Sequence, residues 1–298
     1  MQEILQKFQF RNQIDTMIDA DILGAVIEKF VSKEINLSPN PVYVDDSKKE
    51  IKLHGLDNHA MGTIFEELIR KFNEANNEEA GEHYTPRDVV ELMADLVFMP
   101  VKDQIKDATY SCYDGACGTG GMLTVAQDRL LELAEETGKQ VSIHLFGQEL
   151  QPETYAICKA DMLLKGDGKQ AEHISYGSTL SMDGNASRQF DFMLSNPPYG
   201  KTWKVDAEKM GGKKDILDIR FNAYLEDGTQ LSMIPRVNDG QLLFMLNNVA
   251  KMKTDTPLGS RIAEVHNGSS LFTGDAGSGE SNARRYLIAV SYTHLTLP

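Results

Sequence analysis

Cysteine is scarce in this chain. Three occur among 298 residues, Cys112, Cys117 and Cys158, and none stands in the CxxC spacing of a zinc site or in a disulfide framework. That excludes a small stapled secreted domain and fits a reduced, cytoplasmic protein. Apolar runs are short: none approaches the ~18 residues that a membrane span needs. The amino-terminal stretch MQEILQKFQFRNQIDTMIDADIL is amphipathic and mixed in charge, which is not the pattern of a secretory signal. The seven histidines are scattered, with no HExxH pair, so a catalytic metal has no support. Basic residues are outnumbered, 30 Lys and Arg against 44 Asp and Glu, for a net charge of −14. Affinity for nucleic acid without regard to sequence comes mainly from Lys and Arg on phosphates. The chain is therefore not built to hold a nucleic acid alone, although a basic partner would supply that grip.

What is present is an ordinary globular balance, 41% hydrophobic and 25% charged, at a length that suits one large domain or two. Residues 1–80 read as a helical domain. DILGAVIEKFV sets Ile22, Leu23, Val26, Ile27 and Phe30 on one helical face. HAMGTIFEELIRKFNEANNEEAGE sets Ile64, Phe65, Leu68, Ile69 and Phe72 on another and then runs out in an acidic link. Between them SPNPVYVDDSKKEIKLHG reads as a loop with a short hairpin. Residues 81–298 carry a different pattern. TPRDVVELMADLVF predicts a helix with Thr85 as its cap, Pro86 close behind, and Val89, Val90, Leu92, Met93 and Leu96 as its apolar residues. A strand in TYSCYD, a glycine loop, a helix in MLTVAQDRLLELAEETG, a strand in VSIHLFGQEL, a helix in PETYAICKADMLLKG and strands in ISYGSTL and QFDFMLS follow. This alternation predicts a parallel, doubly wound α/β sheet. Ligands bind such sheets at the carboxyl ends of their strands, and Asp114, Glu149 and Asn196 all fall at strand exits.

Three of the motifs sit at those exits. DGACGTGG, Asp114 to Gly121, follows a strand and opens a helix, the context that gives a glycine cluster meaning. Gly115, Gly118, Gly120 and Gly121 permit a tight turn and the close approach of a ligand. No Gly-Lys-Ser/Thr follows, so it is not a P-loop; alone, it is equally an ordinary βα turn. FGQELQPE ends the next strand at Glu149, 28 residues after Gly121. A carboxylate there accepts hydrogen bonds from both ribose hydroxyls of an adenosine. No basic group is set for phosphates, which fits a nucleoside cofactor without pyrophosphate.

The third exit reads DFMLSNPPYG. Asn196 offers a side-chain carbonyl, and Pro197 has a carbonyl but no N–H. Two adjacent acceptors suit an amino group with two hydrogens, either an exocyclic NH₂ or a carboxamide. Hydrogen bonds to both hydrogens hold the nitrogen toward tetrahedral geometry and free its lone pair for attack. Pro198 stiffens the turn, and Tyr199 offers a ring on which a planar group stacks. A bare Asn-Pro-Pro turn would explain the residues singly. Ahead of the sheet, GEHYTPRDVV holds Tyr84 and a helix start whose free N–H groups suit a carboxylate; a plain helix cap explains it as well. Cys117 reads as a packing residue. Lys201, Lys204, Lys209, Lys213 and Lys214 fit either phosphate contacts or a solvated loop, and GDAGSGESNARR, Gly274 to Arg285, has the composition of a mobile polar loop or a cleft lining.

EHYTPR, DGACGTGG, GQE and NPPY in this order resemble the amino-methyltransferases of DNA, and specifically the methylation subunit of type I restriction–modification systems. RNQIDTMIDADILGAVIEKFVSKEINLSPNPV and EVHNGSSLFTGDAGSGESNARRYLI extend the resemblance over about residues 1–288. It implies a Rossmann-like class I methyltransferase sheet preceded by a helical, partner-docking domain. It implies S-adenosylmethionine as cofactor, contacted by Glu82, His83, Tyr84, Thr85, Pro86 and Arg87, by Asp114, Gly118, Thr119, Gly120 and Gly121, and by Glu149. Asn196, Pro197, Pro198 and Tyr199 would hold an adenine flipped out of DNA for methylation at N6. A specificity subunit would read the DNA, and a restriction subunit would complete the complex. The same residues also fit a protein-glutamine methyltransferase, or an assembly subunit that binds cofactor without catalysis. The chain starts inside the family's helical domain, and AVSYTHLTLP replaces the family's usual continuation, so truncation at both ends is expected.

Overall fold

A computed structural model describes residues 2–45, 47–56, 64, 67–68, 71, 85–165, 168–224 and 228–292. By internal contacts the chain divides into two compact units. One comprises Met1–Tyr84, Gly118–Gly121 and Gln151–Ile174; the other comprises Thr85–Cys117, Met122–Leu150 and Ser175–Pro298. The expected boundary at residues 80 and 81 lies outside the described residues, as do Phe65, Ile69 and Phe72 of the second stripe.

The first unit opens with three short helices, α1 (Gln2–Lys7), α2 (Phe10–Asp19) and α3 (Leu23–Phe30). The periodicity of α3 is as expected, but its stripe is not buried: Ile27 and Phe30 are exposed, as is Ile22 just ahead of the helix. The expected hairpin is present as β1 (Val42–Tyr43) paired antiparallel with β2 (Ile51–Leu53).

In the second unit α4 (Arg87–Phe98) begins after Pro86, which occupies the N-cap. The expected Thr85 cap is therefore displaced by one residue. The fixed φ of proline suits a helix entrance, and the Thr85 hydroxyl is engaged elsewhere. The buried face of α4 is Val90, Met93, Ala94, Val97 and Phe98, a regular helical stripe. Leu92 and Leu96, also among its apolar residues, are exposed. The central strand β3 (Ala108–Asp114) becomes fully buried toward its carboxyl end. After it come α5 (Gly121–Glu136), β4 (Val141–Glu149), α6 (Pro152–Lys165, in the first unit), β5 (Ile174–Tyr176) and β6 (Phe192–Ser195), as the alternation predicts. The remainder, which the motif pattern did not divide into elements, forms α7 (Lys204–Lys209), a β7 (Asn222–Tyr224) and β8 (Gln230–Ser232) hairpin, α8 (Gln241–Ala250), β9 (Arg261–Glu264), α9 (Ser269–Phe272) and α10 (Gly279–Tyr292).

Five strands form the main sheet in the order β5-β4-β3-β6-β9, with β3–β4, β3–β6 and β6–β9 parallel. The order changes direction between β3 and β6, the switch point at which doubly wound sheets open a ligand crevice. All four residues of β6 are buried, as expected for a strand covered on both faces. Phe192 meets Phe98 of α4 edge-on at 4.8 Å, a ring geometry favoured by their quadrupoles. Burial of such a phenyl group contributes about 1.5–3 kcal/mol.

GDAGSGESNARR is not a mobile loop. A Cβ on Gly279 would lie 1.8 Å from the Ile234 carbonyl oxygen, so the backbone there passes too close for any side chain. Glu280 accepts from the Arg236 N–H at 2.9 Å, Asn282 donates to the Ser232 carbonyl at 2.8 Å, and Arg284 donates to the Ser270 and Thr273 carbonyls. The glycines permit this clamp, and its partners lie too far along the chain for local composition to reveal.

Candidate active site

In the second unit, the carboxyl ends of β3 and β6 are joined by one short bond. The Ser195 hydroxyl donates to Asp114 Oδ1 at 2.6 Å, and the Ala116 N–H donates to the same oxygen at 2.9 Å. Asp114 is buried, and burial pushes its carboxyl up to about 7. The Ser195 and Ala116 bonds oppose that shift, while Glu149 and Glu264 add to it. The aspartate is thus a support that holds the start of the glycine turn against the strand leading into Asn196.

A second tie involves Gln148. Its backbone carbonyl accepts from the Cys117 N–H at 3.1 Å. Its side-chain amide donates to the Gly177 and Met182 carbonyls and accepts from the Gly184 N–H. The neighbouring Glu149 is half-buried, and its carbonyl accepts from the Gly177 N–H. The Thr179 hydroxyl donates to the Gly115 carbonyl. Loops after β3, β4 and β5 are therefore fixed to one another at the strand exits.

Asn196 follows β6 directly. Its Nδ2 donates to Thr85 Oγ1 at 2.9 Å. Its Oδ1 is buried and has no hydrogen-bond partner among the described residues. A buried carbonyl without a partner costs about 1–3 kcal/mol, a cost that a bound donor would offset. Pro197 is buried, and Pro198 and Tyr199 are half-buried. Pro86 and Arg87 form the entrance of α4, with Arg87 paired to Glu91 at 3.1 Å on the surface.

In the first unit, Gly118 and Gly120 take positive φ, +55° and +89°. A Cβ on Gly120 would stand 2.9 Å from both Cys158 Sγ and Met162 Cε of α6. Glycine is thus required there by backbone conformation and by space. Thr119 is half-buried beside it, and α5 starts at Gly121. Glu82, His83 and Tyr84 lie outside the described residues. Cys117 is buried, as its packing role requires; Lys204, Lys209, Lys213 and Lys214 are exposed. Sequence reading missed Ser195, Thr179 and Gln148. Only Ser195 carried a signal, as the polar residue ending a run of apolar ones.

A parallel sheet with this switch point, a glycine turn after its central strand, and an acid at the exit of the next defines a class I methyltransferase fold. Solved structures agree. The methyltransferase subunit of a type I restriction–modification system from Streptococcus thermophilus is 25% identical and superposes over 78% of this chain and 43% of its own length, with a TM-score of 0.57. A modification subunit of a putative type I restriction enzyme from Vibrio vulnificus, 23% identical, shares the fold over 80% of this chain and 45% of its own, with a TM-score of 0.51.

The chain belongs to the N-6 DNA Methylase family, whose model matches residues 56–296. It is 29% identical over 201 residues to the type I restriction enzyme MpnII methylase subunit of Mycoplasma pneumoniae, covering 63% of this chain and 33% of that one. It is also 29% identical over 200 residues to the EcoEI methylase subunit of Escherichia coli, covering 64% of this chain and 39% of that one. The matched region thus spans a third to two-fifths of these relatives' length.

Proposed function

We propose that this chain transfers a methyl group from S-adenosylmethionine to N6 of adenine in DNA, as part of the modification subunit of a type I restriction–modification complex. The observation that carries this reading is the Asn196 amide: its nitrogen is committed to Thr85, and its oxygen is left buried as an acceptor. The Pro197 carbonyl follows it in the chain and belongs to a residue without an N–H.

The residues fit S-adenosylmethionine by their chemistry. Glu149 offers a carboxylate for ribose hydroxyls, the glycines at 118, 120 and 121 offer backbone without side chains beside Thr119, and the N–H groups at the entrance of α4 suit a carboxylate. Asp114 acts by holding the turn. Glu82, His83 and Tyr84 join this set by family resemblance. When bound, the cofactor supplies an electrophilic methyl group on a sulfonium sulfur.

Adenine leaves the base stack, at a cost of a few kcal/mol, to reach Asn196. Asn196 Oδ1 and the Pro197 carbonyl accept its two N6 hydrogens, which draws the nitrogen lone pair out of the ring's π system. Tyr199 supplies a stacking face, and Pro198 stiffens the corner that carries it. Held in this way, N6 would be the nucleophile toward the methyl group that the bound cofactor would supply with its sulfonium as leaving group, and would give up one proton to solvent. Positioning carries most of the rate, since the leaving group is already good. The acceptor pair would also fit a glutamine carboxamide; the family match favours adenine.

The net charge of −14 supports dependence on a specificity subunit for DNA affinity, within a cytoplasmic assembly that includes a restriction subunit. No helix of the described residues is long and apolar enough to cross a membrane. The test is labelled methyl transfer to DNA by the chain reconstituted with that partner, with N6-methyladenine identified by mass spectrometry. Transfer to a protein glutamine instead, or tight sequence-specific DNA binding by the chain alone, would overturn the reading.

A further inference from the structure

A line of polar side chains runs from β9 to the backbone just after Tyr199. Ser195 of β6 pairs with Glu264 of β9, and the Val265 N–H donates to the Ser195 carbonyl at 3.0 Å. The Glu264 side chain has no exposed surface. Its Oε2 accepts from Asn248 Nδ2 of α8 at 2.8 Å, and its Oε1 lies at an ion-pair distance of 2.9 Å from His266 Nε2. On the other side of the ring, His266 Nδ1 is 3.1 Å from Gln241 Oε1.

The orientation of Gln241 is fixed by two neighbours. Its Oε1 accepts from the Asn267 N–H at 2.9 Å, and its Nε2 donates to Asp239 Oδ2 at 2.7 Å. Reversing the amide would set N–H against N–H and oxygen against a carboxylate. Asp239 Oδ1 in turn accepts from the backbone N–H of Gly200 at 3.3 Å. The His266 ring therefore stands between Glu264 Oε1 and Gln241 Oε1.

We propose that Glu264 and His266 are positioning residues for the Asn196–Tyr199 loop, acting through Gln241 and Asp239 on the backbone of Gly200. This rests on reading that loop as the pocket for the reacting amino group. The bond at Gly200 fixes the far end of the loop, as the Thr85 bond fixes its near end. His266 touches no reacting atom; it sets the amide that sets the aspartate that holds the turn.

The chain carries its own reporter of this geometry. Its single tryptophan, Trp203, lies three residues after Gly200. The Trp203 N–H donates to the Val237 carbonyl and its Nε1 to the Arg236 carbonyl. The experiment compares His266→Gln, Asp239→Asn and the double variant in the reconstituted methylating complex, with melting temperatures measured alongside. Readouts are kcat and KM for DNA, the dissociation constant for S-adenosylmethionine, and quenching of Trp203 fluorescence by acrylamide. We expect each single variant to lower kcat about tenfold, to leave cofactor affinity within twofold, and to raise the quenching constant. The double variant is expected to be no worse than the poorer single, because residues in one line are not additive.

Losses that multiply in the double variant, or kcat, KM and quenching all at wild-type values, overturn the proposal. A variant that fails to fold is replaced by Gln241→Leu, read in the same way. If the wild-type complex methylates no DNA, the pocket reading fails, and the shared Trp203 response of the variants still decides the relay.

Discussion

Two buried polar regions of the second unit differ in one respect. Around Arg220 every donor is used: its guanidinium donates to Asp218, Asp183 and Asn247 and to the carbonyls of Thr179 and Leu180. Lys251, almost wholly buried, donates to Asp183 and to the Asn185 carbonyl, and burial lowers its pKa while Asp183 opposes the shift. Around Asn196 the network stops one partner short. The Arg220 guanidinium, with every donor engaged, fixes structure; the Asn196 amide, with its oxygen open, is the acceptor proposed for a ligand. The contrast separates two kinds of buried polar residue that composition treats alike.

The largest effect is expected at the open site. Asn196→Ala should lower kcat for methyl transfer at least a thousandfold, about 4 kcal/mol of transition-state stabilisation. Melting temperature and cofactor affinity should stay near wild type. Loss of cofactor binding in that variant would move Asn196 out of the substrate pocket. The opposite pattern is expected at the saturated site. Arg220→Ala leaves Asp183 and Asp218 short of a partner and should cost about 3–5 kcal/mol of stability, a fall of roughly 10 °C in calorimetry. An unchanged melting temperature would break the contrast.

Asp114 sharpens the comparison through pH. Its folded pKa, about 7, lies above the ordinary 3.8. The folded state therefore binds the proton more tightly, and the contribution is fully present below pH 3.8 and lost as pH rises through 7. Asp114→Asn removes this term and keeps an acceptor for Ser195 and Ala116. The variant's stability relative to wild type should rise by a few kcal/mol between pH 4 and 7, measured by denaturant titration across that range. A flat difference would show that the Asp114 pKa is ordinary. The smallest effect is expected at Thr85. Thr85→Val removes the acceptor that orients the Asn196 amide and should lower kcat about tenfold, with Thr85→Ser restoring it. Equal loss in both variants would mean that the hydroxyl does not set the amide.

The residues that speak locally were legible in the sequence. The glycine turn, the acid at Glu149 and the NPPY corner all announce themselves within eight residues or fewer, and the alternation of apolar runs gives the strands before residue 200. The bonds that make a site of them are long-range. Thr85 and Asn196 are 111 residues apart, and Asp114 and Ser195 are 81 apart. Each depends on β6 lying beside β3, a placement that alternation leaves open. After residue 200 the elements are short and their partners distant, so GDAGSGESNARR reads as a loop while its side chains form a clamp.

The first unit has a consequence of its own in helix α6. Ile4 of α1 is buried, and Glu3 accepts from Tyr155 and Lys159 on α6 at 2.9 Å each. Cys158 and Met162 of the same helix back Gly120. One helix thus floors the glycine turn and anchors the first turn of the chain. Removing residues 1–7 would loosen the turn's foundation, so the loss of α1 would be felt at the glycine turn proposed to hold the cofactor.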